Sequence, residues 1–326
     1  MGIVNVFITV DSEVYPRTAL WREQFMAREV DREIFCRTSR GKFGITFMAD
    51  RLNAYGLKGV FFVEALFACA VGLAPLRRII DALGERNQDI QLHVHPEWLK
   101  LANLSTLGGR VGYNLNEFSQ EEQRELICYG LHNLTECGVR NIRAFRAGNF
   151  GADMATLRAL AQTGIFIDSS YEILSLTRDG GLTELGLLIQ PKEISGVHEF
   201  PVAFFEDRPG HRRPAQICAA SNRELEAVLL HAWRSGWHSL VLLTHSFELI
   251  RNRKNYEKPC VPSWVLTHRF ETLCRFLAAN TDKFRTCHFA DFNDFNFPNE
   301  IPSAPLQSPL ALTLLRYGEQ AASRFV

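Results

Sequence analysis

Ile3-Val4-Asn5-Val6-Phe7-Ile8-Thr9-Val10-Asp11-Ser12-Glu13 decides how the rest of the chain is read. Eight residues, β-branched and nearly continuous in apolar character, make a strand covered on both faces, as in a parallel sheet. The run then stops in two acids. The pattern recurs downstream: Leu57-Lys58-Gly59-Val60-Phe61-Phe62-Val63 reads as a second buried strand, and Asp89-Ile90-Gln91-Leu92-His93-Val94-His95 as a third, closed by Pro96. Further strands are expected near Ile142 to Arg146, at Ile165-Phe166-Ile167, and at Ser239-Leu240-Val241-Leu242-Leu243-Thr244 ending at His245.

Helices are expected between these strands. Ile45 to Tyr55 and residues 75 to 86 carry one apolar stripe each, the latter through Leu76, Ile79, Ile80 and Leu83. Ser119 with Glu122, and Ser221 with Glu224, have the spacing of capping boxes, opening helices that run to about Glu136 and about Arg234. Another helix spans Asp153 to Thr163. Alternating strand and helix predicts a parallel sheet with helices outside it, closed as a barrel or doubly wound, and places function at the strand ends. Residues 172–215 break the rhythm with two strand-like pieces, Leu187 to Gln190 and Val197 to Val202, and read as an insertion at the rim. The tail, residues 297–326, holds four prolines before an amphipathic stretch from Leu310 to Ala322, expected to pack on the barrel of residues 1–296 or on a partner, a second copy of the chain included.

Composition narrows the function. The 326 residues suffice for about two domains or one enlarged barrel, and 46% hydrophobic with 22% charged residues excludes disordered, collagen-like and coiled-coil chains. Lys+Arg and Asp+Glu both number 36, so no overall charge draws the chain to nucleic acid or an anionic membrane. The longest apolar stretch, Val60 to Leu76, is interrupted by Glu64, Gly72 and Pro75 and is too short to span a bilayer, for which about 20 residues are needed. The N-terminus lacks the zones of a secretory signal, which gives a cytoplasmic expectation. Eight scattered cysteines without a C-x-x-C pair read as reduced packing residues. Signatures of serine hydrolases, P-loop nucleotide hydrolases and dinucleotide enzymes are missing from the sequence.

The strand ends carry the chemistry. Asp11 and Glu13, two apart, share a face of their strand, and so do His93 and His95. Two imidazoles and a carboxylate meeting from neighbouring strand ends make a ligand set for a catalytic divalent metal with an open position. The bland alternatives are a solvated turn for the acids and a hydrogen-bonded surface pair for the histidines. Arg146 ends another strand, suited to clamp a carboxylate in a two-pronged contact or to make a surface ion pair. His245 at the last strand end is an acid, a base or a rim residue. Polar groups at four such ends are what an active site on one face of a parallel barrel requires.

The order of these segments resembles the polysaccharide deacetylase family, the metal-dependent carbohydrate esterases with a distorted (β/α) barrel of about seven parallel strands. The likeness spans roughly residues 3–250 and rests on Phe7 to Glu13, Gly59 to Val63, Asp89 to Pro96, Phe145-Arg146-Ala147-Gly148-Asn149-Phe150-Gly151, Asp168-Ser169-Ser170-Tyr171 and Leu242 to His245. It implies Asp11 as general base, Glu13, His93 and His95 as metal ligands, Arg146 as the residue orienting Asp11, and His245 as general acid. Two departures stand out. Ser12 separates acids that the family usually has adjacent, and only Val94 lies between histidines that the family spaces by three residues. His95 is the expected second histidine ligand because the strand period sets it beside His93, with Glu97 in reserve.

The implied reaction is metal-dependent removal of an N-acyl group, N-acetyl foremost, from a sugar or glycan intermediate, with Zn²⁺ the expected ion and surface polysaccharide synthesis the expected setting. Trp98, Tyr171 and Asp168 are expected to line the substrate pocket, with Tyr15, Phe204 and Phe205 as further aromatics for a sugar ring and His198 and His211 as further polar candidates. The competing expectations are a barrel amidohydrolase or phosphoesterase and a non-catalytic glycan-binding homologue.

Overall fold

All nine residues of the first strand, β1 (Val4–Ser12), are buried, which its unbroken apolar run requires of a strand covered on both faces. The structure, a computed structural model, describes residues 2–15, 20–102, 104, 107, 110–175, 181–297 and 304–322. Its further strands are β2 (Gly59–Glu64), β3 (Asp89–Val94), β4 (Ala144–Ala147), β5 (Ile167–Asp168), β6 (Lys192–Ile194), β7 (Val197–Glu199), β8 (Phe204–Arg208), β9 (His211–Pro214), β10 (Ser239–His245), β11 (Phe284–Thr286) and β12 (Leu306–Gln307). The main helices are α1 (Ile45–Ala54), α2 (Ala74–Gly84), α3 (Gln120–Glu136), α4 (Met154–Thr163), α5 (Asn222–Arg234), α6 (Trp264–Ala278) and α7 (Leu310–Ala322). Ser119, Asp153 and Ser221 cap α3, α4 and α5 through reciprocal capping boxes.

The main sheet runs β10-β1-β2-β3-β4-β5-β7-β6, with β11 pairing the first half of β1 below β2. Every pairing in it is parallel except that of β6 with β7. A parallel bridge from Val202 to Val241 links the far side back to β10, curling the sheet into a distorted barrel. Part of the segment expected as a rim insertion, residues 172–215, joins the main sheet. Val197–Glu199 is a sheet strand, Leu187–Gln190 is not a strand, and what lies outside the sheet is the hairpin β8–β9, joined by β12. The expectation missed this because strands of two and three residues carry too little periodicity to be recognised.

The pleat divides the core in two. Val4, Val6, Ile8 and Val10 of β1 pack toward the helices, while Phe7 joins Val60, Phe62, Ala144, Ile167, Phe200, Val202, Val241 and Leu243 inside the barrel. Phe289 and Phe292 close its floor, with Phe289 stacked on Phe7 at 4.2 Å between centroids. Apolar side chains fill the lower barrel, so the polar ends of the same strands form the layer above it. Register then aligns those ends: Asp11 lies opposite His245, Glu64 opposite His93, and His93 opposite Arg146.

Two helical segments had no counterpart in the sequence reading. Residues Phe25–Ile34 wind as a π-helix that buries Phe25, Val30 and Ile34, and α6 packs on α1 and α5. The last helix, α7, docks through Arg316, 1% exposed, whose guanidinium donates to Glu224 on α5 at 2.9 Å and to Asp207 on β8 at 2.7 Å. All eight cysteines are free. Among the described residues no helix is long and apolar enough to cross a membrane.

Candidate active site

Three polar atoms crowd together at the mouth of the barrel. Glu13 Oε2 lies 2.7 Å from His95 Nε2 and 3.3 Å from His93 Nε2, and the two imidazole nitrogens are 3.0 Å apart. His93 Nδ1 sits 2.7 Å from the Arg146 carbonyl, which can only accept, so Nδ1 carries the proton and Nε2 offers a lone pair. His95 Nδ1 is likewise 2.7 Å from a Glu97 carboxylate oxygen, leaving its Nε2 free. The two Nε2 atoms and a carboxylate oxygen then converge on one point. A divalent cation would fit among these three atoms, and the outer partners Arg146 and Glu97 orient the rings as second partners of metal-binding histidines do. Glu97, the reserve ligand, lies on the far side of the His95 ring, outside the group formed by Glu13, His93 and His95.

The electrostatics agree. Burial alone would depress the imidazolium of His95, yet the Glu13 and Glu97 carboxylates outweigh it and push its pKa up to about 10. Burial would raise the Glu13 carboxyl, but His95 and His93 hold it well below its ordinary value. The site favours positive charge. The Tyr15 hydroxyl stands 3.1 Å from His95 Nδ1, its ring edge-on to the imidazole, and burial with Glu13 and Glu97 nearby raises its pKa.

Asp11 lies beside this cluster, 2% exposed. The fully buried Arg146 donates to Asp11 Oδ1 at 2.6 Å and to Thr9 Oγ1 at 2.9 Å. Its other nitrogens donate to the Ser169 carbonyl and hydroxyl, each at 2.9 Å, and its guanidinium lies 4.3 Å over Phe62. A side chain held at four polar contacts and one ring has a single rotamer, so it fixes Asp11 in turn. Oδ2 is the oxygen left for a water.

Across the cavity His245 Nδ1 donates to Glu248 Oε1 at 2.8 Å, and Glu248 Oε2 accepts from Thr244 Oγ1 at 3.0 Å. Burial would lower the His245 pKa, but the Glu248 carboxylate, assisted by Glu13 and Asp11, raises it to about 9. The imidazole is therefore cationic at neutral pH, with Nε2–H free to donate. Sequence reasoning missed Glu248, although its position three residues after His245 in His-Ser-Phe-Glu was a visible signal.

A cavity of 420 Å³ joins these groups, lined by Asp11, Glu13, His93 and His245 with Tyr113, Asn114, Ala147, Asn149, Phe150 and Ser175. The three expected substrate contacts are not among them. Trp98 is 1% exposed and packs against Trp21, Phe25 and Phe67. Tyr171 is buried, its hydroxyl donating to the Gly186 carbonyl at 2.6 Å. Asp168 is buried with its carboxyl raised by desolvation, accepting from Ser170 at 2.6 Å. Asp168 ends β5 and Trp98 and Tyr171 lie just past strand ends, but the pleat and the short helical turn after Pro96 send these side chains away from the cavity. Phe204 and Phe205 are core residues as well, His211 pairs with Asp207, and His198 stacks on Phe295 near the floor.

The fold is similar to that of a solved structure described as a polysaccharide deacetylase. A protein from Mycobacterium smegmatis provisionally assigned as a polysaccharide deacetylase superposes with a TM-score of 0.50 at 18% identity, over 88% of this chain and 87% of that one. A family 4 carbohydrate esterase from Streptomyces lividans aligns over 88% and 91% at 11% identity and a TM-score of 0.39. A family 4 pseudoenzyme from Bacillus anthracis aligns over 87% and 63%, at 11% identity and 0.40. No sequence family and no curated protein matches the chain.

Proposed function

We propose that the chain is a metal-dependent deacetylase that removes an N-acyl group, N-acetyl foremost, from a sugar or glycan intermediate of the kind used in surface polysaccharide synthesis. One observation carries the reading: a buried two-histidine, one-carboxylate cluster shares a cavity with an arginine-clamped aspartate on one side and a glutamate-paired histidine on the other. Glu13, His93 and His95 would hold the cation, with zinc suited to two imidazoles and a carboxylate. Bound there, a divalent ion supplies Lewis acidity toward an acyl carbonyl and acidifies water.

The protein's own groups handle the protons. Asp11, held through Oδ1 by Arg146, takes a proton from the attacking water at Oδ2 as the water oxygen bonds to the acyl carbon. His245, cationic through its pairing with Glu248, gives its Nε2 proton to the amide nitrogen as the C–N bond breaks. Without that proton the leaving group would be an amide anion. A free amine and a carboxylic acid result, and the proton on Asp11 restores the balance by returning to His245 or solvent. Two groups poised in opposite protonation states on either side of the reacting carbon are what amide hydrolysis requires.

The test is elemental analysis of the purified protein followed by measurement of acetate release from N-acetylated sugars with added zinc or cobalt. One divalent ion per chain and acetate release are expected. Intact substrate under saturating metal refutes the deacetylase reading.

A further inference from the structure

The cavity mouth displays an aromatic ring that the fold holds in place yet leaves uncovered. Tyr113 is 58% exposed and its neighbour Val111 62%, whereas the other aromatics around the site, Tyr15, Phe150 and Phe247, are at least partly buried. The backbone on both sides of Tyr113 is fastened. Its N–H and that of Asn114 donate to Glu117 Oε1 at 3.1 and 2.8 Å, and its carbonyl accepts from Asn149 Nδ2 at 3.1 Å. Gly112 lies flat on the Phe118 ring, where any Cβ would come within 2.5 Å, and Gly151 lies equally close against Asn114. The Asn116 N–H donates to the Gly151 carbonyl at 2.9 Å, tying this loop to the turn after β4.

That turn is strained. Asn149 and Phe150 both adopt left-handed backbone, φ 55° and 57°, and line the same cavity. Non-glycine residues in this conformation persist where the surroundings fix them, commonly at ligand clamps. An exposed ring on a rigid backbone, beside a strained turn and the uncharged polar side chains of Asn114, Asn149 and Ser175, is complementary to a ligand with one apolar face and an edge of hydroxyls.

We propose that Tyr113, with Asn114 and Asn149 at its edge, forms a subsite at the cavity mouth that stacks against a pyranose ring of the substrate. The subsite rests on the deacetylase reading for its role in turnover, but not for its ability to bind sugar. Asn114 and Asn149 meet the ring hydroxyls while the scissile acyl group reaches down toward Asp11. Tyr113 touches none of the groups that handle protons, so its contribution lies in binding.

The experiment uses the metal-loaded full chain, tri-N-acetylchitotriose as sugar probe and methyl acetate as a sugar-free acetyl substrate. Calorimetry should show wild type and Tyr113→Phe binding the trisaccharide alike, and Tyr113→Ala binding it about 5–10-fold more weakly, the loss of one ring-stacking contact. In turnover, Tyr113→Ala should raise KM for the trisaccharide by the same factor with kcat nearly unchanged, and leave methyl acetate hydrolysis at the wild-type rate. Equal affinity of wild type and Tyr113→Ala, or no binding by wild type, overturns the subsite. So does an equal loss on methyl acetate. Altered binding with no turnover by wild type sustains the subsite and defeats the deacetylase reading alone.

Discussion

Replacing Glu248 by Gln isolates the acid. The amide keeps the size of the side chain and still meets Thr244, but it removes the charge that holds the His245 pKa at about 9 against its burial. If His245 then titrates near its ordinary value of about 6.5, the protonated fraction at pH 8 falls from about 90% to about 3%, roughly a 30-fold loss of kcat/KM. At pH 6 both proteins keep most of the proton and should differ by less than about twofold. The assay is kcat/KM for acetate release from pH 5.5 to 9.5, the parameter that reports the free enzyme. The basic limb should move down by about 2 units or more. Linkage adds a check independent of turnover: a raised folded-state pKa stabilises fully below about 6.5, and the gain is lost as pH climbs through about 9. The stability difference between wild type and Glu248→Gln in urea should therefore approach about 3 kcal/mol at pH 6 and vanish above pH 9.5. A basic limb that stays within half a unit in the variant refutes the pairing as the source of the acid's proton affinity.

Asp11→Asn should lower kcat by about 10²–10⁴-fold while metal content by elemental analysis stays at the wild-type level; loss of the ion instead would make Asp11 a ligand. His93→Ala and His95→Ala should each purify without stoichiometric metal, and a chelator should silence wild type while added zinc restores it, checked by the acetate assay. Arg316→Met removes the guanidinium shared by the buried Asp207 and Glu224 carboxylates, leaving Asp207 to Arg213 and His211 and Glu224 to the Ser221 cap, and should cost about 1–3 kcal/mol in a urea melt, with kcat unchanged at a temperature where the variant stays folded.

The strand ends were legible for a definite reason. A strand buried on both faces must be apolar along its length, so a polar residue at its end is conspicuous, and period two sets Asp11 with Glu13 and His93 with His95 on common faces. The capping boxes of α3 and α5 and the amphipathic α7 were readable on similar grounds, since each is written within a few consecutive residues. The short strand β6, α6 and the π-helical segment were not, because they owe their conformation to neighbours distant in sequence. Trp98, Tyr171 and Asp168 show the same limit. Proximity to a strand end says nothing of direction, and all three side chains turn away from the cavity.

Sequence alone determined which residues could do chemistry here: acids, imidazoles and a guanidinium at the ends of apolar runs, in an order typical of one hydrolase family. Only the tertiary structure decided what they do to one another. Parallel register brings Arg146, 135 residues away, onto Asp11, sets His93 and His95 against Glu13, and leaves Glu97 behind His95. It also exposes Tyr113 at the mouth while burying Trp98. A side chain's type is local, but its charge state, partner and direction follow from desolvation and from contacts across the barrel, which exist only once the sheet has closed.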